Sequence, residues 1–293
     1  MACIIDSDLT RRQFLTYTGI AAASSFFGIE SADASSLRYS QLTREQQLKI
    51  DELCLRLDKE GHDIRPLISH DDFQYSSRVE KLFTRNPEKQ ADKGKRDYQW
   101  YRKVVGIENK IEKAPHFLAA HYSELKHAEE KYGVDKKFIV GILGIESEYG
   151  RHKGSHKAVN SLVTQYVVGR EKFAARELKA LLEFAEKTKS HVFDYWSSYA
   201  GAIGYAQFIP SSLNRLFSGK NGNGGNPMDM ADCIHSIANY LSKAGWQQGS
   251  DCEKGSGNWK AVRAYNHSDI YVQAVREIAL SLNLKTSAVS KHQ

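Results

Sequence analysis

Residues 136–149 leave a helix almost no polar face. Phe138, Ile139, Val140, Ile142, Leu143 and Ile145 are distributed around the whole turn pattern. A helix that is apolar all round has to be enclosed by other elements, so the rest of the chain must supply partners that cover it. Gly141 and Gly144 lie inside the same run. Glycine in a helix interior costs about 1 kcal/mol against alanine, and the pair predicts neighbouring elements pressed close to this helix. The run ends in Glu146, which puts a carboxylate at the end of a buried segment.

The covering elements read mainly as helices. Thr43-x-x-Gln46 is a capping box, and Ile50, Leu53, Cys54 and Leu57 follow on one face until Gly61. Residues 62–100 are polar and irregular, with short helical hints. Pro115 can open a helix with Leu118, Tyr122 and Leu125 on one face, ending at Gly133. Ala174, Leu178, Leu181 and Ala185 mark another helix; Ile234, Ile237, Ala238 and Leu241 mark one stopped by Gly245; a last one runs from about Ser268 to Leu282. Ser218 to Asn226 is a glycine-rich loop, and a small β element is expected around 210–230 or 245–262. The fold class expected is mainly α (α+β), and 293 residues can bury a sizeable core.

The N-terminus reads as an address. Arg11-Arg12-Gln13-Phe14-Leu15 precedes an apolar stretch to about Gly28, and Ala32-Asp33-Ala34 is an A-x-A cleavage pattern. Paired arginines before Phe-Leu make residues 1–34 a twin-arginine signal peptide, cut near Ala34, with a periplasmic product. The stretch is too short to span a bilayer, and no integral membrane segment is expected. Residues 1–34 hold two basic and four acidic side chains, so the chain's +6 becomes +8 without them. A basic surface favours an anionic partner; the charge is scattered without a Lys/Arg block, so nucleic acid is not expected. Residues 35–100 are expected to form a helical and irregular extension packed on the core, and 101–293 the main domain.

Three segments carry candidate chemistry. In Gly141-Ile-Leu-Gly-Ile-Glu146-Ser-Glu148-Tyr149-Gly150-Arg151, desolvation should favour a protonated Glu146, the form that can give a proton to a glycosidic oxygen; satisfaction by backbone donors or Arg151 is the structural alternative. Glu148, two residues on, points to the other side of the helix. In Ser198-Tyr199-Ala200-Gly201-Ala202-Ile203-Gly204-Tyr205-Ala206-Gln207-Phe208-Ile209-Pro210-Ser211-Ser212, small residues allow close backbone approach, and the Gln207 amide needs partners from backbone or ligand. In Ala264-Tyr265-Asn266-His267-Ser268-Asp269, Asn266 or Ser268 can cap the following helix. Cys233 and Cys252 allow a disulfide, though buried thiols are the plainer reading, and no Cys-x-x-Cys pair or His/Cys cluster suggests zinc.

Taken in this order, the segments resemble the lytic murein transglycosylase B family, whose patterns are G-I-x-G-[IV]-E-[ST]-x-[YFW]-G-R, then S-[FY]-A-G-A-[MI]-G-x-x-Q-F-x-P-S-S, then Y-N-x-S. The resemblance runs from about Tyr101 to Ala279. It implies a goose-type lysozyme-like helical domain with a substrate cleft and a small, partly β subregion. It implies cleavage of the β-1,4 bond between N-acetylmuramic acid and N-acetylglucosamine in peptidoglycan, leaving 1,6-anhydromuramic ends. Glu146 would be the single acid/base. Tyr101, Ser198, Gln207, Tyr265 and Asn266 match residues lining the family's cleft. Arg170 matches the second of two family arginines, with Gly169 where the first would stand.

The resemblance also sets expectations about ligands. Several members of the family carry a calcium loop between the second and third motifs. Here Ser218–Asn226 offers asparagines, glycines and Lys220 instead of carboxylates, so no cofactor, no metal and no tight calcium site is expected; Asp229 and Asp232 leave room for a weak one. Glycan strands are the expected partner, with cell-wall synthesis or division proteins as further candidates, and the chain is expected to be monomeric. A lysozyme-type hydrolase using the same Glu146, or a non-catalytic peptidoglycan-binding protein, are the alternatives.

Overall fold

The computed structural model describes residues 36–84, 97–222 and 224–289, with side chains as far as residue 283. The signal peptide expected over 1–34 lies outside the described residues. In chain order the elements are β1 (Ser36–Leu37), α1 (Arg44–Asp58), α2 (Arg65–Ile68), β2 (Tyr75–Ser76), α3 (Ser77–Thr84), α4 (Tyr98–Val105), α5 (Ile107–Ala120), α6 (Tyr122–Tyr132) and α7 (Lys136–Ser147). They continue with β3 (His156–Lys157), α8 (Ala158–Val167), α9 (Glu171–Thr188), β4 (Trp196–Ser197), α10 (Pro210–Leu216), α11 (Met230–Lys243), α12 (Gly257–Tyr265) and α13 (Asp269–Val289). The chain is mainly helical, as its periodicity predicts. Among the described residues the strands form two antiparallel pairs of two residues each, β1 with β2 and β3 with β4, and single bridges join Ser197 to Ile203 and Ile203 to Phe208.

Two compact units emerge. One holds the described residues of 96–151 and 234–289, the other those of 36–84 and 152–233. Residues 36–84 therefore group with 152–233, whereas the sequence reading set 35–100 apart from a 101–293 domain.

In the first unit α7 is the enclosed helix. Its covers are α13, α5 and α6, and α12 and α4 pack in turn on α13. Ile139, Val140, Ile142, Leu143 and Ile145 are fully buried, and each contributes about 1.5–3 kcal/mol of apolar transfer. Gly141 is required by this packing: a Cβ there would stand 2.7 Å from the Val275 carbonyl oxygen of α13. At Gly144 a Cβ would stand 2.7 Å from the Tyr149 hydroxyl, which donates to the Lys110 carbonyl of α5 at 2.7 Å. The close approach predicted from the two glycines is present at both.

In the second unit α8 is central, packed on α9, α1, α3 and the β2 strand. The capping box at Thr43 forms as expected, with Gln46 N donating to Thr43 Oγ1 and Thr43 N to Gln46 Oε1. Ile50, Leu53, Cys54 and Leu57 are buried on one face of α1.

Several expectations need correcting. The helix expected from Pro115 to Gly133 is two helices that meet at His121, and Pro115 lies inside α5. The chain starts α5 at Ile107 directly after left-handed Gly106, so the proline is carried mid-helix, and Ala114 and Phe117 are buried where Leu118 was expected. The β element expected around 210–230 or 245–262 lies elsewhere. Pro210 at the first helical turn opens α10, and Ser256 caps α12 by accepting from Trp259 N at 3.1 Å. The helix α8 has no counterpart in the sequence reading.

Candidate functional site

Glu146 sits one residue from the end of α7. Its Oε1 accepts a 2.7 Å hydrogen bond from the hydroxyl of Tyr271 on α13, a residue the sequence reading did not single out. Tyr271 is 1% exposed. Burial, then the charge of Glu146, then Tyr265, push its phenol well above the ordinary range, so it stays a proton donor. Tyr101 on α4 is buried, and its phenol is raised by burial and then by Glu146. Tyr265 at the end of α12 is 7% exposed and packs edge-on against Tyr240 at 4.9 Å between centroids. Glu146, Tyr101, Tyr265 and Tyr271 thus form one electrostatic cluster within the first unit. Asn266 follows as the C-cap of α12, and its Oδ1 is buried with no hydrogen-bond partner among the described residues. A buried acceptor left unpaired costs about 1–3 kcal/mol, a cost that an incoming N–H or O–H would offset.

The backbone positions these groups. Glu148 and Tyr149 both have positive φ, 49° and 61°, so the chain leaves α7 through a left-handed turn immediately after the acid. Side chains of this kind in left-handed backbone carry strain of about 1 kcal/mol or more, and such strain gathers at functional sites. Glu148, the rival carboxylate, accepts from Lys113 Nζ at 2.6 Å and from Arg151 at 3.4 Å. Burial pushes its carboxyl up, but Lys113, Lys110 and Arg151 outweigh that and hold it below the usual carboxylate range. Arg151 is thereby engaged with Glu148. α4, which carries Tyr101, is tied to α13 by Tyr98 and Arg102, both bonded to Glu277.

The remaining predicted residues belong to the second unit. Ser198 is 5% exposed, and its Oγ accepts from Ala202 N at 3.3 Å, closing the turn of its own motif. Gln207 has φ 51°, left-handed like Glu148, Tyr149 and Lys189, and its Nε2 donates to the Gly204 carbonyl at 2.7 Å. Gly204 allows that loop: a Cβ there would stand 2.1 Å from the Pro227 carbonyl. Arg170 donates to Gln165 Oε1 at 2.6 Å and stacks over Phe83 and Phe173, so its guanidinium has structural work in α8 and α9.

In the glycine-rich loop, Asp232 turns both carboxylate oxygens to backbone amides, Lys220 N at 2.9 Å and Asn226 N at 2.8 Å. Asp229 Oδ1 accepts from Asp232 N at 2.9 Å. This donor set is that of a carboxylate-braced turn. A different set of metal-type side chains, Glu124, His127 and His235, comes together on α6 and α11. Cys54, Cys233 and Cys252 are buried, free thiols, and Cys233 Sγ donates to the Pro227 carbonyl at 3.3 Å.

An enclosed helix delivering a glutamate to a cluster of buried tyrosines, on a mainly helical scaffold, places the chain among lysozyme-like folds. A family profile described as Transglycosylase SLT domain matches residues 56–255, and the chain belongs to that family. It is 33% identical over 153 residues to the membrane-bound lytic murein transglycosylase B of Escherichia coli (strain K12), a match covering 51% of this chain and 42% of that protein. The match therefore spans less than half the length of that relative. Among solved structures, soluble lytic transglycosylase SltB1 from Pseudomonas aeruginosa superposes with TM-score 0.72 at 23% identity, covering 82% of this chain and 99% of that one. SltB3 from the same organism, in complex with NAG-anhNAM-pentapeptide, gives 0.70 at 22% identity over 81% and 79%. These two share the fold. No helix among the described residues is long and apolar enough to cross a membrane.

Proposed function

We propose that this protein is a lytic transglycosylase that cleaves the β-1,4 bond between N-acetylmuramic acid and N-acetylglucosamine in peptidoglycan, with Glu146 as its single acid/base. The observation that carries the reading is the Glu146 carboxyl, delivered by a buried helix and held by the Tyr271 hydroxyl, in a chain of the transglycosylase SLT domain family. The protonated Glu146 gives its proton to the glycosidic oxygen as the C1–O bond breaks. The resulting carboxylate then takes the proton of the muramic C6 hydroxyl as that oxygen bonds to C1, giving the 1,6-anhydro ring and returning the acid. No water enters the products. The usual glycosidase needs two carboxylates; here the neighbouring Glu148 is committed to Lys113 and Arg151, which supports a one-acid mechanism.

Around this centre, Tyr101, Tyr265 and Asn266 are the proposed substrate-facing groups of the first unit, with the unpartnered Asn266 Oδ1 suited to a sugar hydroxyl or N-acetyl N–H. Gln207 and Ser198 are proposed to serve through the shape of their strained loop, and Arg170 through its support of α8. Export by the twin-arginine leader of residues 1–34 to the periplasm belongs to the same reading and is supported by Arg11-Arg12 and the Ala32-Asp33-Ala34 pattern.

Digestion of purified peptidoglycan followed by mass spectrometry of the products tests the proposal. Muropeptides ending in 1,6-anhydromuramic acid are expected, and Glu146→Gln should lose nearly all turnover while keeping its fold. Reducing ends would move the reading to a lysozyme-type hydrolase, and binding without products to a peptidoglycan-binding protein. Near-normal turnover in Glu146→Gln would remove Glu146 from the chemistry.

A further inference from the structure

Helix α6 carries Glu124 and His127 three residues apart, a spacing that puts both on one helical face. His235 on α11 meets them there. It is completely buried, whereas His127 is exposed and Glu124 half-buried. The His235 and His127 rings stand 5.1 Å apart at 74°, and one ligand atom from each of the three residues lies within 4.8 Å of the other two. His235 Nε2 and Glu124 Oε2 are 3.3 Å apart. That is long for a charge-assisted hydrogen bond, which closes to about 2.7–2.9 Å. It matches the edge of a tetrahedron around a metal with bonds of about 2.0–2.1 Å, an edge of about 3.3 Å. The second ring nitrogen of His235, Nδ1, is buried with no hydrogen-bond partner among the described residues. With a cation on Nε2, the neutral ring carries its proton on Nδ1, the tautomer a ligating imidazole needs.

We propose that Glu124, His127 and His235 bind a divalent cation of the zinc class, fixing α6 to α11. Two imidazoles and one carboxylate suit a borderline cation such as Zn²⁺ and not calcium, which takes oxygen ligands in larger number. The exposed His127 side leaves a fourth position open to water. None of the three residues lies on the elements that carry Glu146, Tyr101, Tyr265 or Tyr271, so the site is structural and separate from the proposed chemistry. Neither local spacing nor a Cys/His motif announces it, because His127 and His235 come from distant parts of the chain.

The test uses the full chain, purified without a histidine tag and stripped with chelator. Titration with Zn²⁺ in a calorimeter should show one equivalent bound, and Co²⁺ should give the visible spectrum of a four-coordinate site. At about 100 times the dissociation constant, Zn²⁺ should raise Tm by about 5–10 °C. His127→Ala, at an exposed position that should leave the fold intact, and Glu124→Gln should each weaken binding at least about tenfold and abolish the Tm rise. Absence of Zn²⁺ binding in the wild-type chain would overturn the proposal. So would binding that persists in both variants, or a thiolate-to-cobalt band marking the cysteines as the ligands.

Discussion

Tyr271→Phe removes one atom from the proposed centre. The ring, carried by α13, is 1% exposed, so phenylalanine fills the same space and only the hydroxyl is lost. What disappears is a 2.7 Å hydrogen bond to Glu146 Oε1. Hydrogen bonds to charged groups contribute about 1.5–3 kcal/mol. If that bond fixes the carboxyl in its working orientation throughout the reaction, losing it slows the chemical step by about 10- to 150-fold. Tyr271 is buried and bonded to the acid, so kcat should fall with KM little changed. Global stability should change little, by about 1 kcal/mol, because a neighbouring carboxyl loses a donor without a cavity opening. The assay is initial-rate release of anhydro-muropeptides from sacculi across substrate concentrations, with thermal unfolding as the control. A Tyr271→Phe enzyme within twofold of wild-type kcat, and equally stable, would refute the idea that this phenol positions the acid.

Two further outcomes follow from buried groups in the same unit. Gly141→Ala places a methyl 2.7 Å from the Val275 carbonyl oxygen; overpacking of about 1–3 kcal/mol should exceed the helix-propensity gain of about 1 kcal/mol. The denaturation midpoint should therefore drop, and a rise would show that α13 gives way freely. Lys110 is 2% exposed with Nζ donating to the Val105 carbonyl at 2.9 Å, and burial lowers its ammonium to about 8, with Glu148 opposing. Its folded value lies below the unfolded one, so between about pH 8 and 10.5 the unfolded chain holds more protons and stability rises with pH. The stability of wild type relative to Lys110→Met, measured by denaturant titration, should accordingly improve by about 3 kcal/mol from pH 7 to 10.5; a flat difference would mean that Lys110 is not desolvated.

The enclosed helix was legible because its signal is local. Six large apolar residues and two glycines within ten positions admit little except a buried helix with close neighbours, and the Val275 carbonyl and the Tyr149 hydroxyl are those neighbours. Glu146 was legible for the same reason, as a carboxylate attached to that helix. Tyr271 was not. It sits among Ile270, Val272 and Val275 on an amphipathic helix, where a tyrosine reads as core, and its partner lies 125 residues away. The one available signal was general: a buried tyrosine hydroxyl usually finds an acceptor, and Glu146 needed a donor. His235 was hidden in the same way, as one polar residue within the apolar run of α11.

Helix α8 carries a legible apolar period, but its polar face reads as solvent-facing and is not, with a consequence for the second motif. Its sequence, Ala-Val-Asn-Ser-Leu-Val-Thr-Gln-Tyr-Val, sets Val159, Leu162, Val163, Tyr166 and Val167 at i, i+3, i+4, i+7 and i+8, and the opposite, polar face is buried as well, its groups being structural. Ser161 Oγ donates to the Ser198 carbonyl at 3.3 Å, and Gln165 Nε2 to the Tyr199 carbonyl at 3.3 Å. Asn160 Nδ2 holds the Asp72 carbonyl at 3.0 Å, while Thr164 Oγ1 accepts from Ser76 N at 3.1 Å. Each of these would cost about 1–3 kcal/mol if left unpaired, so α8 is stable only when the loop beginning at Ser198 is already folded against it. The loop in turn bends through left-handed Gly201, Gly204 and Gln207, a course a free chain would rarely hold. Helix and loop therefore specify one another, and the shape around Gln207 is set by buried amides and hydroxyls whose partners lie far away in the sequence.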